Sequence, residues 1–99
     1  MRRHYLVCYD IRDARRLRRV HKIVRDFGPA LQYSVFACRL TDCARAELER
    51  LLLEVIDTRA DNVMLVDLGP VASTTGVFVP GLRVLGSPNL PEALGVVVI

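Results

Sequence analysis

The sequence predicts one α+β domain. Strand-like and helix-like segments alternate over the first two thirds of the chain, each helix pattern opens on a capping residue, and the composition is that of a packed globule. Of the 99 residues, 52% are hydrophobic and 25% charged, values that exclude disorder except at the C-terminus. A chain of this length buries roughly 60 to 65% of its unfolded surface. That suffices for one core, and association would add to its stability.

Tyr5 to Tyr9 is a nearly continuous run of β-formers ending at Asp10, as expected of a central strand with a carboxylate at its tip. Asp13, an N-cap candidate, then precedes a helical pattern in which Leu17, Val20, Ile23, Val24 and Phe27 form one apolar stripe. Gly28-Pro29 should end this helix, with Gly28 in the left-handed position that follows a helix C-terminus. Ala30 to Leu40 is extended, either one long bent strand or two short strands broken near Tyr33-Ser34. No Gly, Asn or Asp signals a tight hairpin there.

Thr41-Asp42 should cap a second helix with Ala44, Leu48, Leu51, Leu52 and Val55 inward and Arg45, Glu47, Glu49, Arg50 and Glu54 outward. A polar turn from Asp57 to Asp61 leads to a third strand, Asn62 to Leu68, stopped by Gly69-Pro70. Val77-Phe78-Val79 and Leu82 to Leu85 are short β-like runs, and the chain ends in the apolar run Leu94 to Ile99. The domain is expected to span residues 1–88, with 89–99 a docked or flexible tail.

This order suggests an antiparallel or mixed sheet with both helices on one face, the ferredoxin-like βαββαβ sandwich. Its other face needs a cover. Pairing of two copies, by sheets packed face to face or by strand exchange, is the cheapest one for so apolar a chain, which predicts a homodimer.

The net charge of +3 conceals an asymmetry. Residues 1–25 carry nine of the fourteen Lys and Arg with two acids, about +7, whereas residues 26–99 carry five bases and nine acids, about −4. Such a distribution favours a polyanionic partner, nucleic acid first. At about 100° per residue, Arg15, Arg18, Arg19, Lys22 and Arg25 fall within one sector opposite the apolar stripe of the first helix. Like charges so spaced repel by roughly 0.2–0.5 kcal/mol per pair, a cost that a phosphate backbone would relieve. Arg16 lies on the stripe side in the first turn and is expected to lean toward Asp10.

Asp10 is the candidate metal ligand and, with Arg16, the candidate catalytic group. Magnesium keeps several waters and needs one or two carboxylates besides phosphate oxygens. One Asp10 per chain is a poor ligand set for such an ion, but a two-fold axis near both strand tips would supply two. His4 and His21 read as surface or strand-end residues, Tyr9 and Phe36 as core, and Asp67 as structural. Cys8, Cys38 and Cys43 lack disulfide or zinc spacing and read as reduced thiols. The run after Arg2-Arg3 is cut by Asp10 and no stretch approaches a membrane span, so a soluble cytoplasmic protein is expected, with no membrane partner.

Tyr9-Asp10-Ile11, Arg15 to Val20, Phe27-Gly28, Gln32 to Phe36 and Cys38-Arg39-Leu40 together resemble, in order and spacing, the small CRISPR-associated family Cas two. Residues 5 to about 68 carry the match. The resemblance implies a ferredoxin-like homodimer whose C-terminal strand completes the partner's sheet. It implies a role in spacer acquisition, in which the dimer binds prespacer DNA and bridges two dimers of the CRISPR integrase Cas one. It also implies a magnesium-dependent endonuclease acting on RNA or double-stranded DNA, with Asp10 as metal ligand and Tyr9, Arg16, Arg19 and Phe36 at motif positions nearby. Ala37 stands where the family commonly has an acid, and Met64 and Val66 replace its polar and tyrosine positions. The rival readings are a purely structural nucleic-acid scaffold, a toxin-like mRNA interferase of the virulence-associated protein D type, and a small-molecule regulatory module, for which no glycine-rich signal exists.

Overall fold

A computed structural model of the chain describes residues 1–71, 82–86 and, for their backbone, 97–98. Strand β1 (Arg3–Asp10) is followed by helix α1 (Ala14–Arg25), strands β2 (Ala30–Gln32) and β3 (Val35–Leu40), helix α2 (Asp42–Leu53) and strand β4 (Asn62–Pro70). These four strands form one antiparallel sheet in the order β2-β3-β1-β4, the ferredoxin-like arrangement. The choice the sequence left open at Tyr33-Ser34 falls to two strands, because Gln32 pairs with Val35 across a two-residue turn.

Strand alternation sorts β1 by face. Tyr5, Val7 and Tyr9 point to the helices and pack with Val20 and Val24 of α1, Phe36, Cys38 and Leu40 of β3, and Leu48 and Leu52 of α2. Phe36, Val7, Val20, Val24 and Leu48 are fully enclosed, and truncating a phenylalanine in such a core costs about 3–5 kcal/mol. Leu6, Cys8 and Asp10 lie on the opposite, helix-free face. There Leu6 is registered with Ala37 and Val66, and Cys8 with Val35 and Met64.

Both helix starts are capped as the sequence indicates. Asp13 accepts from the Arg16 N–H at 2.9 Å, and Thr41 Oγ1 accepts from the Ala44 N–H at 3.1 Å; a threonine cap is worth about 1 kcal/mol. The end of α1 corrects the expectation for Gly28. The helix stops at Arg25, with Asp26 as its right-handed C-cap, and only Gly69 and Gly86 have positive φ among the described residues. Glycine is required at 28 for space: a Cβ there would lie 2.8 Å from Cys38 Sγ and 2.9 Å from Cys38 Cα. The missing side chain lets the α1–β2 connection lie flat on β3.

Beyond β4, strand β5 (Arg83–Val84) runs parallel to β6 (Val97–Val98) of the same chain. Leu82, like Leu31 and Leu68, packs against Ala37 on the helix-free face. The β-like run at 77–79 and most of the expected tail lie outside the described residues. Among the described residues no helix is long and apolar enough to cross a membrane.

Candidate functional site

The tip of β1 and the start of α1 meet where the sequence places them. Asp10 is the last residue of β1, opposite Asn62 of β4, with a side chain 58% exposed. Its nearest cation is Arg12, 3.6 Å away, and no hydrogen bond engages its carboxylate among those described. Asp13 caps α1, so Asp10 does not.

Arg16 does not lean toward Asp10. Its guanidinium is held by Asp61, Nε donating to Oδ2 at 2.7 Å and Nη2 to Oδ1 at 3.2 Å. Asp61 is buried and also accepts the backbone N–H of Arg12 and of Asp57, each at 2.9 Å. The Arg16 side chain is 28% exposed and the Asp61 side chain 0%. The Arg16 hydrogen bond first, and the Arg12 N–H after it, hold the Asp61 carboxyl well below the usual carboxylate range. From the sequence alone Asp61 is only the last residue of a polar turn. The available signal was an acid immediately before a strand with an unassigned stripe-side arginine elsewhere, but nothing local joins residues 16 and 61.

The basic face of α1 forms as expected. Arg15, Arg18, Arg19, Lys22 and Arg25 are all exposed, and among the described residues none of them meets a carboxylate. Helix α2 behaves in the opposite way: Arg45 pairs with Glu49 at 2.6 Å, and Arg50 pairs with Glu47 and Glu54 at 2.7 Å each. One helix neutralises its arginines internally, whereas the five cations of the other stay unpaired among the described residues.

Tyr9 and Phe36 are core residues, as expected, with ring centroids 6.0 Å apart and near-parallel planes. His4 stands at the start of β1, a strand-end place as expected, whereas His21, within α1 and half-buried, is neither at the surface nor at a strand end. His4 is buried, and burial first, then the Arg39 charge, lowers its pKa. His21 is half-buried, with its ring edge-on to Phe36 at 5.4 Å and Nδ1 2.9 Å from the Tyr9 hydroxyl. Asp67 is structural, accepting from Arg3 Nε at 2.8 Å and from the Gly69 N–H at 2.9 Å. The cysteines are unpaired, and burial pushes the Cys38 thiol up to about 12.

As a metal site, the donor set is hard but sparse. Asp10 supplies one exposed carboxylate, and among the described residues no three His, Cys, Asp or Glu side chains come together. One chain therefore fits magnesium as a donor of a single ligand.

Residues 2–73 match the family model of CRISPR associated protein Cas2. The chain belongs to the Cas2 family. It is 41% identical over 86 residues to the CRISPR-associated endoribonuclease Cas2 of Geobacter sulfurreducens, covering 80% of this chain and 90% of that protein. It is 37% identical over 92 residues to the CRISPR-associated endoribonuclease Cas2 of Thermus thermophilus, covering 90% and 98%. Among solved structures, a hypothetical protein from Thermus thermophilus superposes with a TM-score of 0.73 at 30% identity over 93% of this chain and all of that one. The Streptococcus pyogenes Cas2 structure gives 0.60 at 31% identity over 64% and 82%. Within this Cas2 chain the family match spans both the strand-tip acid and the basic helix.

Proposed function

We propose that this Cas2 protein acts in CRISPR adaptation as a homodimer that grips prespacer DNA along the basic faces of its two α1 helices and bridges the integrase Cas one. The observation that carries the reading is the set of five exposed cations on α1 that meet no carboxylate among the described residues, beside a helix whose arginines are paired. A phosphodiester backbone is the ligand whose charge spacing relieves such a face, and it is gripped without regard to sequence.

The helix-free face supports the dimer. Met64 and Val66 are 58% and 44% exposed there, beside Leu6 and Cys8 in register. Two such faces packed about a two-fold axis would also bring two Asp10 side chains to one interface. Exchange of the C-terminal strand between copies is part of the same proposal.

A second activity, hydrolysis of RNA or double-stranded DNA, is favoured by Asp10 itself, an exposed carboxylate with only a long contact to Arg12. Asp10 of each copy would hold a magnesium ion, which when bound supplies Lewis-acid polarisation of a phosphate. In this reading Arg16 is a positioning residue: paired with Asp61, it holds the loop that follows Asp10.

Replacing Arg15, Arg18 and Lys22 together by Ala should weaken DNA binding equally across sequences and reduce its salt slope by about one unit per lost phosphate contact. A sequence-selective loss would contradict the clamp. Asp10→Asn should abolish magnesium-dependent cleavage and leave binding unchanged, which separates the nuclease from the scaffold.

A further inference from the structure

We propose that the groove between α1 and the Tyr33–Ser34 turn is a subsite for one unpaired nucleotide, its base on the Tyr33 ring and its phosphate on Arg18, Lys22 and Arg25. This rests on the reading of α1 as a phosphate clamp and adds the part of the ligand that is not phosphate.

The groove encloses about 290 Å³ and is lined by Tyr9, Leu17, His21 and Tyr33 together with those three cations, near the lower end of the volumes at which ligand sites begin. Tyr33 is 77% exposed, although it sits in a two-residue hairpin turn where Asn or Gly is the usual choice. A large ring held out on a tight turn does little for the core, and it offers a π-face to solvent beside three cations. Aromatic face and cationic rim are the two parts from which single-strand sites are built. A base inside a duplex is stacked on both faces, and one at a blunt end is still tied to its complement, so neither can enter the groove singly and the groove discriminates by strandedness.

The floor of the groove is tied in place. The Tyr9 hydroxyl lies 2.9 Å from His21 Nδ1 and 3.4 Å from the Tyr33 carbonyl oxygen, joining strand, helix and turn. The His21 and Tyr33 rings are 6.3 Å apart and inclined by 32°. The Tyr9 N–H also donates to the Ser34 carbonyl at 3.1 Å, which sets the turn beside the end of β1. The groove therefore lies at the end of the sheet that carries Asp10.

The experiment compares binding of three labelled ligands by fluorescence anisotropy: a blunt duplex, the same duplex with a short unpaired tail, and the single strand alone. The wild-type protein should prefer the tailed duplex to the blunt one. Tyr33→Ala should weaken the tailed and single-stranded ligands by about 5- to 150-fold and leave the blunt duplex unchanged, whereas Tyr33→Trp should retain the preference. No preference in the wild type, or an equal loss on all three ligands, overturns the subsite while leaving the clamp standing. Failure to bind any of the three overturns the clamp and the subsite together.

Discussion

Arg16 and Asp61, forty-five residues apart in sequence, meet in a two-point ion pair of 2.7 and 3.2 Å with the Asp61 side chain fully enclosed. The same carboxylate takes the N–H of Arg12 and of Asp57. A single acid thus ties the loop leaving β1, the first turn of α1 and the turn before β4. Asp10 ends β1 immediately before that loop, so the chain that leaves the strand-tip acid is anchored two residues on, at the Arg12 N–H.

Asp61→Ala leaves a half-buried guanidinium and two backbone N–H groups without their acceptor, which is more damaging than never having had the pair. The expected drop in Tm is on the order of 10 °C, against roughly 4–8 °C per kcal/mol for a domain of this size. Arg16→Ala should also destabilise, and the double variant by less than the sum of the two, since both remove one interaction. Strict additivity in thermal unfolding would show that the pair is not coupled.

Met64→Asp places a charge on the most exposed apolar position of β4. Its own fold should survive, because the side chain lies outside the core, but pairing of two sheets through that face should not, since a buried unpaired charge costs several kcal/mol. Light scattering should find a dimer for the wild type and a monomer for the variant, with unchanged circular dichroism. A monomeric wild type at micromolar concentration would remove the dimer from the functional reading.

Stability should fall in two steps as the solution is acidified. Burial, with the nearby Arg39 charge, lowers the pKa of His4 from its ordinary 6.5, and Arg16 lowers that of Asp61 from 3.8. In both cases the unfolded chain takes up the proton first. His4 therefore costs nothing above pH 6.5 and destabilises the fold below it, and the Asp61 contribution is complete above 3.8 and lost below. Denaturant midpoints measured from pH 8 to 3 should show the upper step and the onset of the lower, and His4→Asn should remove the upper one. A midpoint that rises between pH 7 and 5 would contradict the burial of a neutral His4.

Much of the fold was legible because its signals are local. Asp13 and Thr41 announce their helices, and the stripe from Leu17 to Phe27 becomes the buried side of α1. The break at Tyr33-Ser34 was ambiguous for an equally local reason: the turn lacks the residues that mark a hairpin. Gly28 shows a different limit, since a glycine before proline looks the same whether it serves a left-handed turn or a close approach to Cys38.

By itself the sequence determined the element order, the inward faces, the cation-rich side of α1 and the strand-tip place of Asp10, all consequences of spacing along one backbone. Only the tertiary structure decided that Arg16 belongs to Asp61, that His21 reaches Tyr9, and that Tyr33 stands over the cations of α1. Those pairings join groups distant in the chain, and the free energy that selects them comes from excluding water around partners that no periodicity can name in advance.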